Sequence, residues 1–468
     1  MDNAVNQAIK KTAFVILGML AILLTYVAYI QIISGEELSA HRLNQRAMQL
    51  ERRIERGAIL DRTGEKLAYS ELQSDGKWQR QYPFGAITAH VIGYISERYG
   101  SAGIEEIQNP ALSGIVNPVR RLGILARLVP ETAGTNVQLT LDSEVQTIAY
   151  RALGQHRGAV VVLDPRTGAV LAMVSRPGFD PAAIDSNWNS ISGSTASPLM
   201  NRATYGLYPP GSIIKILVAE AALSEKAADT NKIYHCDGKL RIGQDYVLGE
   251  ANNHKHGAIN LEQALAVSCN VTFGRLALDL GRDKLAQAYT KYGFTRSINS
   301  DFPNQPAQLP DFAHLSDGDL AQLGIGQGTL LVTPLHMAML AAAFANKGVM
   351  MQPYLVQGIT TKDGMLTKKF TPVQLSNPVK PGLAQTIGGM MVTTVKAGTG
   401  NAASISGITV AGKTGTAENP HGADHSWFIG FASAGESQVA IAVIVENGGS
   451  GGAVAAPIAR QVLVQALR

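Results

Sequence analysis

The sequence predicts an α+β protein in which a five-stranded antiparallel sheet is covered by helices. An N-terminal membrane helix and a smaller β-rich domain precede that sheet. Three observations predict this. The chain opens on an uncharged apolar stretch at 12–34. Short segments broken by glycine and proline follow from 56 to about 135. Strand-like runs then cluster at 158–176 and again at 408–446, with a mostly helical text between them. Strands at both ends of a helical middle argue for one antiparallel sheet with helices packed on it.

Taken in order, residues 1–11 form a short tail, and 12–34 as a helix spans roughly 30 Å or slightly more, enough to cross a bilayer core. Lys10 and Lys11 precede this stretch and Glu36 and Glu37 follow it, so the positive-inside rule puts the tail in the cytoplasm and the rest of the chain outside. An uncleaved anchor fits better than a cleaved leader. The apolar run is longer than a leader's apolar region, and Leu38-Ser39-Ala40 is a poor cleavage site. Residues 35–135 read as a stalk followed by a small domain with nothing that looks catalytic. The highly charged 38–55 supplies the stalk, and 56–68 (RGAILDRTGEKLA) suggests a hairpin around its D-R-T-G turn.

From 136 to 468 the character is that of one large domain. A helix is expected over 143–155. Next comes a hairpin in which GAVVVL and AVLAMVS flank D-P-R-T-G, then late strands at 408–418, 427–432 and 439–446, and a closing helix over 454–467. No repeat of solenoid period is visible.

Composition narrows the function. With 46% hydrophobic and 16% charged residues the chain is ordered, and its net charge of +4, scattered and without aromatic interleaving, gives no nucleic-acid surface. Cys236 and Cys269 are the only cysteines. An outward compartment permits a disulfide, but the sequence does not show whether they approach. Two cysteines and scattered histidines have no metal-ligand spacing, so neither a metal nor another cofactor is expected. Gly326-Gln327-Gly328 lacks the spacing and lysine of a phosphate loop.

The chemistry gathers at 208–219, YPPGSIIKILVA, where two prolines and a glycine force a turn before an apolar helix. Ser212 stands at the helix mouth, and Lys215 lies on the same face one turn on. A serine hydroxyl needs a base to become a nucleophile, and a lysine serves if burial disfavours its ammonium. Alone, this S-x-x-K is more often a cap and a solvated charge. Downstream stand Ser268-Cys269-Asn270 and Lys413-Thr414-Gly415-Thr416, each of which alone could be a cap or a strand end. The three elements in this order form the set found in penicillin-binding proteins and class A β-lactamases, with S-C-N in place of S-D-N.

With 158–181, 198–215, 325–348, 410–418 and the earlier 56–68, these motifs resemble class B penicillin-binding proteins from about residue 50 to the C-terminus. The resemblance implies the penicillin-binding transpeptidase fold and a pedestal that lifts it from the membrane. It implies a peptidoglycan D,D-transpeptidase serving growth or division, which acts on stem peptides ending in D-Ala-D-Ala and is acylated by β-lactams. It also implies pairing with a membrane glycosyltransferase, for which this chain has no domain of its own.

By the same resemblance Ser212 attacks the penultimate D-alanine, Lys215 takes its proton, and Ser268 relays a proton to the leaving amine with Lys413 in support. Asn270 contacts the peptide backbone. Lys413, Thr414 and Thr416 suit the terminal carboxylate, and Gly415 allows close approach to an edge strand. Ser212 and Thr416 N–H groups form the oxyanion hole. His421 and His425 are expected in a solvent-facing turn. Two other readings stay open. An acyl-enzyme hydrolase (a D,D-carboxypeptidase or β-lactamase) needs a base such as Glu250 or Glu262, which no motif marks. A non-catalytic partner of a glycosyltransferase would not need the intact motif set.

Overall fold

The computed structural model describes residues 2–34, 55–114, 134–244, 246–420 and 422–468. The expected stalk at 38–55 and His421 lie almost wholly or wholly outside the described residues. The N-terminal helix runs Asp2–Ile32, and its Val5–Gln31 segment is long and apolar enough to cross a membrane.

Two sheets organise the rest. The first is built around the expected hairpin: β1 (Ile59–Leu60) pairs antiparallel with β2 (Lys66–Leu72), and Asp61 closes the turn by accepting from Thr63 N and Glu65 N. β2 continues to β3 (Trp78–Gln81), whereas β1 also pairs, in parallel, with β4 (Asn136–Leu139). The large second sheet opens with β5 (Gly158–Leu163) and β6 (Val170–Arg176). Later in the chain, β7 (Val356–Thr360) and β8 (Leu366–Lys369) return to the first sheet, giving it the order β8-β7-β4-β1-β2-β3. This sheet thus draws strands from both sides of residue 135.

β9 (Thr409–Ala417), β10 (His425–Ala434) and β11 (Ser437–Val445) complete the second sheet in the order β9-β10-β11-β5-β6, with every neighbour antiparallel. Five antiparallel strands are what the sequence predicts. Both faces are covered, which explains why β5 and β11 read as continuous apolar runs. Val160 and Val162 face a core shared with helices Ser143–Ala152 and Ala455–Ala466, while Ala159, Val161 and Leu163 face the main core. The wholly buried helix Pro334–Ala345 lies on that second face. Because β9 ends the sheet, the K-T-G-T run has a free edge.

Candidate active site

The turn bearing Ser212 is made by its sequence. Tyr208 exchanges backbone hydrogen bonds with Val332, Trp427 Nε1 donates to Pro209 O at 3.0 Å, and Gly211 takes a left-handed φ of 55°. Gly211 N donates to Gly326 O at 2.8 Å, and a Cβ on Gly326 would lie 2.1 Å from Gly211 O. Gly326 therefore supports the Ser212 turn from behind. Ser212 sits in a 3₁₀ turn, Gly211–Ile214, that runs into helix Lys215–Ser224. That helix is buried on all sides from Lys215 to Ala222, so the lysine enters the core instead of solvent.

Lys215 is 0% exposed, and Nζ donates to Ser268 O and Asn270 Oδ1, both at 2.7 Å, and to Ser268 Oγ at 3.3 Å. Burial lowers its pKa to about 8, against the raising effect of Glu250 and Cys269. Ser268 has φ 62°, and its hydroxyl also accepts from Lys413 Nζ at 2.9 Å. Lys413 is likewise fully buried and pushed well below the usual lysine range, by burial first and by Lys215 second. Ser268 Oγ is thus clamped between two lysines. Ser212 and Lys215 lie one turn apart, as expected, and the lysine's donors go to Ser268 and Asn270.

The nucleophile turn and the K-T-G-T strand touch directly. A Cβ on Gly415 would lie 2.9 Å from Pro210 O and 3.0 Å from Ile213 Cγ2, so glycine is needed here for the nucleophile turn, not only for an incoming chain. The two threonines differ, against the expectation that both face a carboxylate. Thr414 is buried, and its hydroxyl donates to Thr399 Oγ1 at 2.6 Å. Thr416 is exposed and its Oγ1 accepts from Gly451 N, which leaves its proton free to donate. Asn270 gives Oδ1 to Lys215 and one amide hydrogen to Gly249 O, keeping its second hydrogen for a ligand.

His425 also departs from expectation. It opens β10 as a half-buried ring set edge-on to Tyr208, with centroids 5.6 Å apart, and its Nδ1 accepts from Asn447 N. Burial lowers its pKa.

Sequence reasoning missed two groups. Glu446, just past β11, accepts from Arg202 Nε (2.7 Å), Tyr208 OH (2.8 Å) and Arg157 Nε (2.9 Å), anchoring the segment that leads into the nucleophile turn. The second group surrounds Cys269. Cys236, Glu250, His256 and Cys269 place one ligand atom each within 4.8 Å of one another. Spacing gave no sign of this set, because a β-hairpin separates Cys236 from Glu250 and the helix Leu261–Ala266 separates His256 from Cys269. Two thiols, an imidazole and a carboxylate suit a zinc-class ion, and Glu250 also accepts from Asn270 N and Val271 N. Zinc added to metal-stripped protein is expected to raise Tm by several degrees, and the double variant C236A/H256A to lose that increment. Equal shifts in both proteins would show that these residues hold no ion.

Residues 158–464 match the family profile described as penicillin binding protein transpeptidase domain. The chain belongs to the penicillin-binding protein transpeptidases. Residues 56–126 of this penicillin-binding protein also match the penicillin binding protein A dimerisation domain. The peptidoglycan D,D-transpeptidase PbpA of Mycolicibacterium smegmatis is 34% identical over 99% of each chain. Among solved structures, the penicillin G acyl-enzyme complex of penicillin-binding protein A from Mycobacterium tuberculosis is 31% identical, with a TM-score of 0.81, over 88% of this chain and 99% of that one. The D,D-transpeptidase domain of a peptidoglycan glycosyltransferase from Eggerthella lenta is 34% identical with a TM-score of 0.80, over 88% of this chain and 98% of that one. The penicillin-binding protein is of class B, and its fold is the one that the motifs led us to expect.

Proposed function

We infer that this penicillin-binding protein is a peptidoglycan D,D-transpeptidase: it cross-links stem peptides through an acyl-enzyme on Ser212 and is acylated by β-lactams. The observation that carries the reading is Ser268 Oγ held between Lys215 and Lys413, beside a turn packed on the free-edged strand β9. Ser212 Oγ attacks the carbonyl of the penultimate D-alanine as neutral Lys215 accepts its proton. The oxyanion forms against the N–H groups of Ser212 and Thr416, each such donor supplying about 2.7–4 kcal/mol of transition-state stabilisation. A proton passes through Ser268 to the departing D-alanine, with Lys413 stabilising the hydroxyl electrostatically. The Thr416 hydroxyl and Lys413 charge receive the terminal carboxylate, and the donor peptide adds along β9. A second stem peptide's amine then releases the acyl group and leaves the cross-link.

The hydrolytic alternative is the weaker one. Glu250 has both oxygens occupied by Asn270 N, Val271 N and Cys269 Sγ, and Glu262 Oε1 accepts from Thr393 Oγ1 at 2.5 Å. Glu250 is thus committed to backbone and thiol donors, and Glu262 is turned by one oxygen toward Thr393. The test is product analysis with a D-Ala-D-Ala donor and an added D-amino acid. Exchange of the terminal residue supports transfer, whereas the hydrolysed tetrapeptide alone would support a carboxypeptidase.

The pH profile has a set sign. Lys215 acts as base only when neutral, and its pKa is lowered to about 8. The acylation rate at fixed β-lactam is therefore expected to rise with pH up to about 8 and level off above it. A rate that is flat from pH 6 to 9 would remove Lys215 as the base. In the cell the N-terminal helix anchors the chain with its tail inside and the catalytic domain outside. Anchor and pedestal then contact a polytopic membrane glycosyltransferase that supplies the glycan. Abolished growth on gene deletion, with normal growth of Ser212→Ala, would favour the scaffold reading instead.

A further inference from the structure

A cleft of about 620 Å³ opens between the hairpin β2–β3 and the turn Pro181–Ala183. It lies far from the nucleophile. The 181–183 turn follows β6, at the opposite edge of the five-stranded sheet from β9, which is about 19 Å across four strand spacings. Its lining charges cancel, with Arg56, Lys77 and Arg80 against Asp75, Glu97 and Asp185. Gln73, Gln79, Ser70 and the half-buried Trp78 also line it.

Arg80 carries the second observation. Its side chain is 10% exposed; Nε donates to Glu105 Oε1 at 2.6 Å and Nη1 to Gly57 O at 2.9 Å. Nη2 is buried with no hydrogen-bond partner among the described residues. A buried guanidinium nitrogen left unpaired costs stability, and buried polar groups of this kind are normally met by a partner. Balanced charge gives no site for a polyanion, and walls that break up Tyr82, Ile95, Pro181 and Ile184 with charged and amide groups give no continuous apolar strip for a lipid or an apolar peptide. What fits is a neutral ligand dense in hydroxyl and amide groups, one flat face of which can lie on an indole.

We propose that this cleft binds a strand of N-acetylated amino sugars, the glycan backbone that carries the stem peptides, at a place remote from Ser212. The identity of that polymer rests on the transpeptidase reading above. The cleft holds the enzyme on the glycan while the peptides react elsewhere, so its contribution falls on KM for polymeric substrate.

The experiment uses the full chain in detergent with chitotetraose as probe, followed by saturation-transfer NMR and by tryptophan fluorescence. Of the three tryptophans, Trp427 is fully buried and Trp188 is stacked on Tyr99 outside the cleft lining, so the fluorescence change that Trp78→Ala abolishes is the one that reports the cleft. Binding to wild type is expected, weakened at least tenfold in Trp78→Ala and reduced in Gln79→Ala, with Tm checked in each variant to confirm folding. No binding to wild type, or equal binding by wild type and both folded variants, overturns the proposal. Inorganic phosphate that binds and displaces chitotetraose would make the cleft an anion site and overturn it too. Benzylpenicillin acylation of wild type, measured separately, reports on the transpeptidase reading alone, so the two inferences fail independently.

Discussion

Benzylpenicillin is expected to add one covalent equivalent to the wild-type chain and none to Ser212→Ala, as read by intact-protein mass. The reason is geometric. Ser212 is the one hydroxyl on the turn that touches β9 at Gly415 and Thr416, whereas Ser268 Oγ already accepts from two lysines and is held away from attack. Lys215→Ala should keep the Ser212 hydroxyl but remove the base, lowering the acylation rate by about 10²–10⁴. It also removes the donors that Asn270 Oδ1 and Ser268 O receive, so the loss belongs at the upper end. An adduct that persists in Ser212→Ala would move the nucleophile elsewhere and undo the mechanism.

The second large effect concerns a residue with no place in the motifs. Glu446→Ala is expected to destabilise the fold by about 3–5 kcal/mol, because it leaves Arg202, a fully buried guanidinium, with only the carbonyls of Ala196 and Ser197 and no counter-charge, and strands the buried hydroxyl of Tyr208. Tyr208→Phe removes one hydrogen bond to a charged group and should cost about 1.5–3 kcal/mol. Tyr208 precedes the Pro209-Pro210-Gly211-Ser212 turn, so both variants should also slow β-lactam acylation more than they weaken its reversible binding. Denaturant unfolding together with acylation kinetics separates the two effects. A Glu446→Ala variant as stable as wild type would mean that the three-donor contact contributes nothing.

Much of this was legible in the sequence, for identifiable reasons. β5, β6, β9, β10 and β11 announce themselves because each is a run of β-branched and aliphatic residues bounded by turn chemistry, and these are local signals. The S-x-x-K, S-C-N and K-T-G-T elements were recognisable because their order is specific. The parts that were not legible are those set by tertiary neighbours. Alternation along β9 puts Thr414 and Thr416 on one face, but only Thr414 is covered, by Thr399, a residue with no local relation to it. His425 follows a Gly-rich turn and reads as loop, yet the register opposite Ala417 makes it the first residue of a strand. The Glu446 anchor joins four residues from three separate stretches, and the Cys236–Glu250–His256–Cys269 set is closed by folding alone.

The first sheet has a bearing on how the protein is made. β4 is flanked by β1 on one side and by β7 on the other, so of the five other strands of the sheet three are synthesised before residue 82 and two after residue 355. A chain emerging from its N-terminus presents one edge of β4 without a partner until more than two hundred further residues have followed. Long-range pairing of this kind is slow and leaves an unpaired edge exposed meanwhile. The pedestal, though first in sequence, is therefore among the last parts of the molecule to be finished, and it cannot be cut away at residue 135 as a self-sufficient unit.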